Sequence, residues 1–387
     1  MKCPNPNCSG ELEYVNHNIG WNCGSCGFHA QANFPNEIVE KGGENVSKYF
    51  AEKFKEWKKS SPQIVHTGDD NKPVPKNVVP SSKYNIGWGS DNPGHIVYLI
   101  DLSASMGWPI KEDKERTNIK DVLDVVKKSL DRLLFLCQTA KGNLVPRFSA
   151  SIIGYNSEIV TLSPHMDVND IEELLDDTYG DLLYDISESG KAHPQKMTYM
   201  AKAFDAAYND VKEWISQRKK TNPNGKIPAP YVINITDGRP EEWDDVNNKH
   251  ADDSISMKKA LDAAARLKEE IVTDEGNLLL FNIHYNGRED KQKELLTPVN
   301  RPVGNTDIDR HRQFLYDASS ILPDEIVDAV VELAKKDNHD AILAKSVCRG
   351  SRAMISNSSD KALLANFVVF SSLTGIAKEQ NQDESPI

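Results

Sequence analysis

Residues 95–107 read HIVYLIDLSASMG, and the fold class can be inferred outward from this stretch. Its first half is a run of bulky and β-branched residues, which is typical of a strand buried on both faces. Its second half places Asp101, Ser103 and Ser105 at alternate positions before a glycine. We therefore predict a core strand over 95–101 with a polar loop at its carboxyl end.

Strand and helix patterns alternate along the chain after this stretch. The predicted elements are a helix over about 118–138, two strands within RFSASIIGYNSEIVTLS, helices over about 168–177 and 198–219, a strand in PYVINITDG, a helix over 254–271, a strand in NLLLFNIHY, and helices near 323–336 and 358–373. The predicted buried face of the 198–219 helix consists of Ala201, Phe204, Tyr208, Val211 and Ile215. The alternation predicts a Rossmann-like, doubly wound α/β fold, with a mostly parallel sheet and helices on both faces.

Composition limits the classes of function. The 46 basic and 58 acidic residues give a net charge of −12, which disfavours a broad phosphate-binding surface. No apolar stretch approaches the roughly 20 residues that cross a bilayer. The first residues, MKCPNPNCSG, lack the apolar core of a signal peptide. We expect a soluble, cytoplasmic protein.

A second polar loop follows a predicted strand at INITDGRP, where Asp237 precedes a glycine. In doubly wound sheets, ligands bind at the carboxyl ends of strands, near the point where strand order reverses. Asp101, Ser103, Ser105 and Asp237 all supply oxygen, which hard divalent cations prefer, and hydroxyls are weak ligands. Taken singly, these residue types also cap helices or form turns. Together they predict a metal site that can accept a further carboxylate.

The same residues resemble a known family. DLSAS matches the Asp-x-Ser-x-Ser signature of the metal-ion-dependent adhesion site (MIDAS) in von Willebrand factor A (VWA) domains, and ITDGRP is similar to that family's second conserved segment. The family's third element is a threonine that opens a helix, and MTYMAKAFDAA supplies Thr198. The resemblance covers roughly residues 94–375. HPQKMT departs from the Gly-Gly that often precedes this threonine, and the loop over about 177–197 carries His193.

The resemblance implies a role for each site residue. Ser103 and Ser105 would contact the metal directly, and Thr198 directly or through water. Asp101 and Asp237 would act mainly through waters. The sixth position would be left for an Asp or Glu of a partner protein. The metal would be Mg²⁺, with Mn²⁺ and Ca²⁺ left open because all three take oxygen ligands.

The resemblance extends to bacterial cytoplasmic VWA proteins. The closing segment of this chain, GSRAMISNSSDKALLANFVVFSS, resembles the last strand and helix of those proteins. Such proteins are often associated with kinase and phosphatase partners in stress or tellurite-resistance systems. The resemblance thus implies a non-enzymatic, protein-binding scaffold. Trp108 and Trp243, next to the two polar loops, are either an aromatic rim of the site or buried.

Four cysteines lie near the start of the chain in two pairs, Cys3 with Cys8 and Cys23 with Cys26, and glycines follow them. Four thiolates on two such turns are typical of a closed Zn²⁺ site, and the segment resembles a zinc ribbon with ELEYVNHNIGWNC as its strands. Two disulfides or a redox dithiol are alternatives. The predicted organisation is a zinc ribbon (1–32), a helix and extended linker (33–93), the VWA domain (94–375) and a disordered tail (376–387).

The residues support other classes of function less well than a scaffold. A phosphotransferase of the haloacid dehalogenase type would need an acid two residues after Asp101, where Ser103 stands. The sequence has no Walker loop and no Gly-x-Ser-x-Gly elbow. A metal-dependent phosphatase and a nucleic-acid-associated factor acting through the ribbon stay as alternatives, although Lys2 is the only lysine or arginine in the first thirty residues.

Overall fold

The structure is a computed structural model. It describes residues 12–16, 20–23, 29–30, 47–53, 55, 84, 88–110, 113–139, 142–175, 197–244, 249–285, 294–336, 346–356 and 364–367. The strands of its main sheet are β1 (Gly94–Asp101), β2 (Phe148–Tyr155), β3 (Ile159–Met166), β4 (Tyr231–Thr236), β5 (Leu279–His284), β6 (Leu295–Leu296) and β7 (Met354–Ser356). The helices are α1 (Asn118–Leu136), α2 (Val168–Leu175), α3 (Met200–Thr221), α4 (Asp253–Glu270), α5 (Asp307–Ala318) and α6 (Asp324–Lys336).

The described part of the chain also contains shorter elements. A 3-10 helix, Ala104–Gly107, follows β1. Two-residue strands form small hairpins, Trp243–Asp244 with Lys249–His250 and Val272–Thr273 with Gly276–Asn277. Near the start of the chain, Leu12–Asn16, Gly20–Cys23 and His29–Ala30 form a separate three-stranded sheet.

The main sheet confirms the predicted fold class. Its strand order is β6-β7-β5-β4-β1-β2-β3, in which the five inner strands are parallel and the two edge strands, β6 and β3, are antiparallel to their neighbours. The chain runs from β1 to β2 on one side and later returns to β4 on the other side. Strand order therefore reverses between β1 and β4, and their carboxyl ends lie side by side.

The apolar run of β1 is explained by burial on both faces. Every residue of this strand is buried. Ile96, Tyr98 and Ile100 belong to one core cluster together with apolar residues of α1, α2 and α6. Val97 and Leu99 belong to a second cluster with residues of α3, α4 and α5. Helices thus cover both faces of the sheet, which explains why Ile96 to Ile100 are all apolar or aromatic.

The predicted buried face of α3 was partly wrong. Phe204 and Val211 are buried, but Ala201, Tyr208 and Ile215 are only partly buried. The buried residues of the helix are Met200, Ala203, Phe204, Ala207, Val211 and Trp214. Ala203 and Ala207 share a core cluster with Ala260 and Ala264 of α4. Small residues let two helices approach closely, so this packing favours a face that a search for large apolar residues misses.

Packing against the sheet begins before the strand that opens the predicted domain. The Trp88 side chain is 2% exposed, and its ring centroid lies 4.8 Å from that of Tyr231 in β4. The Tyr84 hydroxyl donates a hydrogen bond to the carbonyl oxygen of Asn277 at 2.9 Å. The end of the predicted 33–93 linker therefore contributes side chains to the α/β domain.

Some predictions lie outside the described residues. These include the tail over 376–387, His193, and most of the helix near 358–373, of which residues 364–367 are helical. Within the predicted helix upstream of the linker, residues 47–53 are helical and Phe50 is fully buried. Among the helices that are described, none has the length and apolar character needed to cross a membrane.

Candidate metal centre

The carboxyl ends of β1 and β4 meet at a cavity of about 480 Å³. Four of the five predicted oxygen donors line it, namely Ser103, Ser105, Thr198 and Asp237. The fifth, Asp101, is fully buried at the end of β1 and is hydrogen-bonded to residues beside the cavity. The structure therefore brings together residues that are up to 136 positions apart in the sequence, from Asp101 to Asp237.

Asp101 is held by hydrogen bonds to both of its carboxylate oxygens. The Ser103 backbone N–H donates to Oδ1 at 2.8 Å, and the Thr236 hydroxyl donates to Oδ2 at 2.6 Å. The first bond closes the turn after β1, and the second joins the ends of β1 and β4. These bonds fix the carboxylate behind the serine hydroxyls, where it can bond to a metal-bound water.

The hydroxyls and the second carboxylate form a continuous network. The Oγ atoms of Ser103 and Ser105 lie 3.2 Å apart, and Ser105 Oγ donates to Asp237 Oδ1 at 2.7 Å. The other oxygen, Asp237 Oδ2, accepts a hydrogen bond from Asn118 Nδ2 at 3.0 Å. The Ser103 and Ser105 hydroxyls and the Asp237 carboxylate are thus joined by hydrogen-bonding distances.

Thr198 is not the N-cap residue of α3, which is the structural role that would compete with metal binding. The N-cap residue of α3 is Tyr199, and the helix begins at Met200, so Thr198 precedes the cap. The Thr198 carbonyl oxygen accepts backbone hydrogen bonds from Met200 and Glu241. The second bond ties the start of α3 to the segment after β4 and holds Thr198 at the cavity.

Sequence reasoning missed two residues that position the carboxylates. Thr236 is the last residue of β4, and its hydroxyl binds Asp101. Asn118 is the first residue of α1, is fully buried, and binds Asp237. Asn118 follows the N-cap Thr117, whose side chain accepts a hydrogen bond from Lys120 N–H, so the local pattern indicated only a helix start.

The rest of the cavity wall combines an aromatic ring with polar and charged groups. Trp108 lines the cavity and is 49% exposed, which agrees with the rim interpretation. Trp243 is partly buried and packs edge-to-face on His250, with ring centroids 5.3 Å apart. Arg239, Glu241 and His311 also line the cavity. The Arg239 guanidinium forms an ion pair with Asp253 at 2.5 Å.

The charge of Asp237 affects the buried carboxyl of Asp101. Burial, with a contribution from the negative charge of Asp237, raises the pKa of Asp101 to about 7, although the hydrogen bonds from Thr236 and Ser103 oppose this rise. Two carboxylates that share a buried site repel each other when both are ionised. A divalent cation would remove this repulsion, so the donor set fits Mg²⁺ or Mn²⁺.

Metal affinity should depend on pH through Asp101. Below about pH 7 this carboxyl holds a proton that a cation must displace, so affinity should fall by up to about tenfold per pH unit as the pH decreases. Without metal, stability should fall as the pH rises from about 4 to about 7, because the folded state binds the proton more tightly than the unfolded state. Calorimetric Mg²⁺ titrations at several pH values measure how the affinity depends on pH. An affinity that is constant across the window would contradict it.

The described residues show no cluster of three or more His, Cys, Asp or Glu side chains placed for a metal. The candidate centre has two such side chains, and hydroxyls supply its other donors. For the predicted zinc site, Cys3, Cys8 and Cys26 lie outside the described residues, and only the backbone of Cys23 is described. The strands Leu12–Asn16 and Gly20–Cys23 pair antiparallel, as expected for the segment between the cysteine pairs.

A Ser-His-Asp arrangement lies at the other end of β1, away from the cavity. His95 Nδ1 lies 2.9 Å from Ser149 Oγ, and His95 Nε2 lies 2.8 Å from Asp210 Oδ1. These residue types also form hydrolase triads. Here, however, His95 is fully buried and stacked on Trp214, and Ser149 is buried as well. The arrangement links β1, β2 and α3 in the interior and does not present a nucleophile at the surface.

Comparisons with known proteins give similar shapes at low sequence identity. No family model and no curated protein matches the chain. The PilB minor pilin from Streptococcus sanguinis has 11% identity and a TM-score of 0.42, over 76% of this chain and 64% of the pilin chain. The manganese-loaded TRAP protein of Plasmodium vivax has 18% identity and a TM-score of 0.32, over 50% of this chain and 57% of the other.

A third similar structure is the vWF domain of the type V pili tip protein Mfa5 from Porphyromonas gingivalis. It has 16% identity and a TM-score of 0.26, over 39% of this chain and 40% of that chain. The chain thus spans less than two thirds of the length of each of these solved structures. At such identities and TM-scores, none of them assigns a role to a residue of this chain.

Proposed function

We propose that the α/β domain is a VWA domain whose strand-end oxygens hold a divalent cation, and that this cation binds an acidic residue of a partner protein. The observation that supports the proposal is the convergence of Ser103, Ser105, Thr198 and Asp237 on one cavity, with Asp101 behind them. Hydroxyl ligands transfer little charge to a cation, so it would stay able to bind an external carboxylate.

The geometry of the site favours binding over catalysis. Asp101 is held behind the serines and does not itself line the cavity, so it is not placed to act there as a nucleophile. The exposed Trp108 beside the cavity gives a partner protein an apolar surface to cover. We infer a scaffold that assembles proteins, with no chemical step at the metal.

Capture of partners from native lysate tests this function. Wild-type protein should retain a partner with Mg²⁺ and release it with EDTA, while Asp101→Ala and Ser103→Ala should lose it in both conditions. Asp262→Ala is the matched control, because this aspartate is exposed and forms an ion pair with Lys258 on the same helix. A partner retained equally by all variants, with and without EDTA, would rule out the metal-bridged contact.

We also propose that the N-terminal segment holds structural Zn²⁺ on Cys3, Cys8, Cys23 and Cys26. The antiparallel pairing that places Leu12 opposite Cys23 supports a ribbon. Elemental analysis should find about one zinc per chain. A Cys23→Ser/Cys26→Ser variant should lose that zinc, whereas Cys137→Ser, which changes a buried cysteine of the α/β core, should keep it. Equal zinc content in both variants would contradict the assignment.

A further inference from the structure

We propose that this chain associates head to tail with a second copy of itself, through two surface grooves of opposite charge. The acidic groove is defined by Asp131, Leu134, Phe135, Glu172, Glu173 and Leu175. The basic groove is defined by Lys212, Ile215, Lys219, Lys220, Ile271 and Val272. The proposal does not rest on the metal centre.

The acidic groove lies between the last turns of α1 and the short helix α2. It encloses about 670 Å³. Phe135 is 68% exposed, although α1 otherwise buries its apolar face against the sheet. Glu172 and Glu173 have no ion-pair partner within the described residues. A large exposed aromatic side chain beside two unpaired carboxylates indicates a surface that another protein covers.

The basic groove lies between the last turns of α3 and the segment that follows α4. It encloses about 430 Å³, and Val272 in it is 57% exposed. In the described part of the chain, Lys219 and Lys220 have no carboxylate partner. Glu270 also lines this groove, but its carboxylate accepts a hydrogen bond from the Tyr208 hydroxyl at 2.6 Å. The groove therefore offers apolar contacts flanked by available positive charge.

The two grooves are complementary in charge and lie on opposite faces of the sheet. The helices of the acidic groove pack in the core cluster of Ile96, Tyr98 and Ile100, and those of the basic groove pack in the cluster of Val97 and Leu99. Because the grooves face in opposite directions, one partner copy cannot fill both. Each contact therefore joins the acidic groove of one copy to the basic groove of the next, which is a heterologous arrangement.

Both grooves are far from the candidate metal centre. α1 begins beside the cavity at Asn118, and Phe135 is 17 residues further along the helix, or roughly 25 Å away at 1.5 Å per residue. Lys219 is 19 residues beyond the start of α3, which adjoins Thr198. Head-to-tail association would leave the metal centre open, so an assembly would display several copies of it.

The association should be weak and sensitive to salt. The net charge of −12 opposes contact between copies, and the attraction between the grooves comes largely from exposed charges. Sedimentation velocity of the full chain between about 5 and 200 µM should show a sedimentation coefficient that rises with concentration at about 50 mM NaCl. The rise should disappear at about 500 mM NaCl, where charges are screened.

Charge reversal identifies the surfaces. Glu172→Lys/Glu173→Lys and Lys219→Glu/Lys220→Glu should each weaken self-association at least tenfold, because each variant alone brings like charges together. An equimolar mixture should regain association, because the intact basic groove of the first variant meets the intact acidic groove of the second. A mixture that associates no better than either variant alone would contradict the pairing of the two grooves.

The control variant is Glu115→Lys/Glu158→Lys, which has the same net charge as the acidic-groove variant but changes exposed residues outside both grooves. It should associate like the wild type. A wild type that stays monomeric at every concentration in low salt would overturn the proposal. Groove variants that associate as strongly as the control would overturn it too. All four substituted groove residues are exposed, so the variants are expected to fold.

Discussion

Asp101→Asn should stabilise the metal-free protein while it removes divalent-metal binding. The carboxyl is fully buried and repelled by Asp237, which is why its pKa is raised to about 7. Asparagine keeps an oxygen for the Ser103 N–H and an amide that can donate to the Thr236 hydroxyl, so the local hydrogen bonds survive. Near pH 8 the free energy of unfolding should rise by about 2 kcal/mol.

The same substitution should weaken Mg²⁺ or Mn²⁺ binding at least about 100-fold, because one of two negative charges is lost. Denaturant unfolding in EDTA measures the first effect, and calorimetric titration measures the second. Asp262→Asn, at an exposed ion pair, should change neither quantity appreciably. A less stable Asp101→Asn protein would show that repulsion between the two carboxylates does not destabilise the metal-free state.

Asn234→Leu should cost about 3–5 kcal/mol of stability, because it leaves several buried polar groups without partners. Asn234 is fully buried in the middle of β4. Its Oδ1 accepts a hydrogen bond from the Tyr155 hydroxyl at 2.7 Å, and its Nδ2 donates to Asn282 Oδ1 at 2.9 Å. Asn282 Nδ2 in turn donates to Ser319 Oγ at 3.0 Å, so the network crosses the sheet to the end of α5.

A double-mutant cycle isolates the contribution of the hydrogen bond between Tyr155 and Asn234. Tyr155→Phe removes the hydroxyl that donates to Asn234, so the cost of the combined variant should be clearly less than the sum of the two single costs. Urea unfolding monitored by circular dichroism gives each value. Strictly additive costs, or a loss below about 1 kcal/mol for Asn234→Leu, would mean that the network does not act as a unit.

The fold class could be predicted because burial on both faces leaves a plain pattern in the sequence. The run before Asp101 is apolar at nearly every position since helices cover both sides of β1. The α3 face was harder to predict. Its contact with α4 uses Ala203 and Ala207, and small residues give a weak apolar signal compared with Tyr208 or Ile215.

Within the candidate site, only the oxygen donors could be predicted from the sequence. Asp101, Ser103 and Ser105 are marked by alternate spacing after a strand, and Asp237 by its position after the neighbouring strand of the sheet. Asn118 reaches Asp237 from α1 and His311 reaches the cavity from α5, and no local pattern distinguishes these two residues from ordinary helix residues. Their contribution depends on how distant segments pack, which one sequence does not reveal.

The polar half of HIVYLIDLSASMG thus has a structural explanation that agrees with a metal site. β1 fixes the backbone, the 3-10 helix after it turns Ser103 and Ser105 toward the cavity, and β4 brings Asp237 alongside. The resulting oxygens lie where strand order reverses, the position at which doubly wound sheets bind ligands.

A manganese titration decides whether these oxygens form a metal centre. Free Mn²⁺ is followed by electron paramagnetic resonance as it is added to the full chain at about pH 8, where Asp101 is mostly ionised. We expect the wild type to bind a single Mn²⁺ that Mg²⁺ displaces, Asp262→Asn to bind it equally, and Asp101→Asn to leave the ion free. A wild type that binds no Mn²⁺, or an Asp101→Asn protein that binds it as tightly as the wild type, would contradict the metal centre.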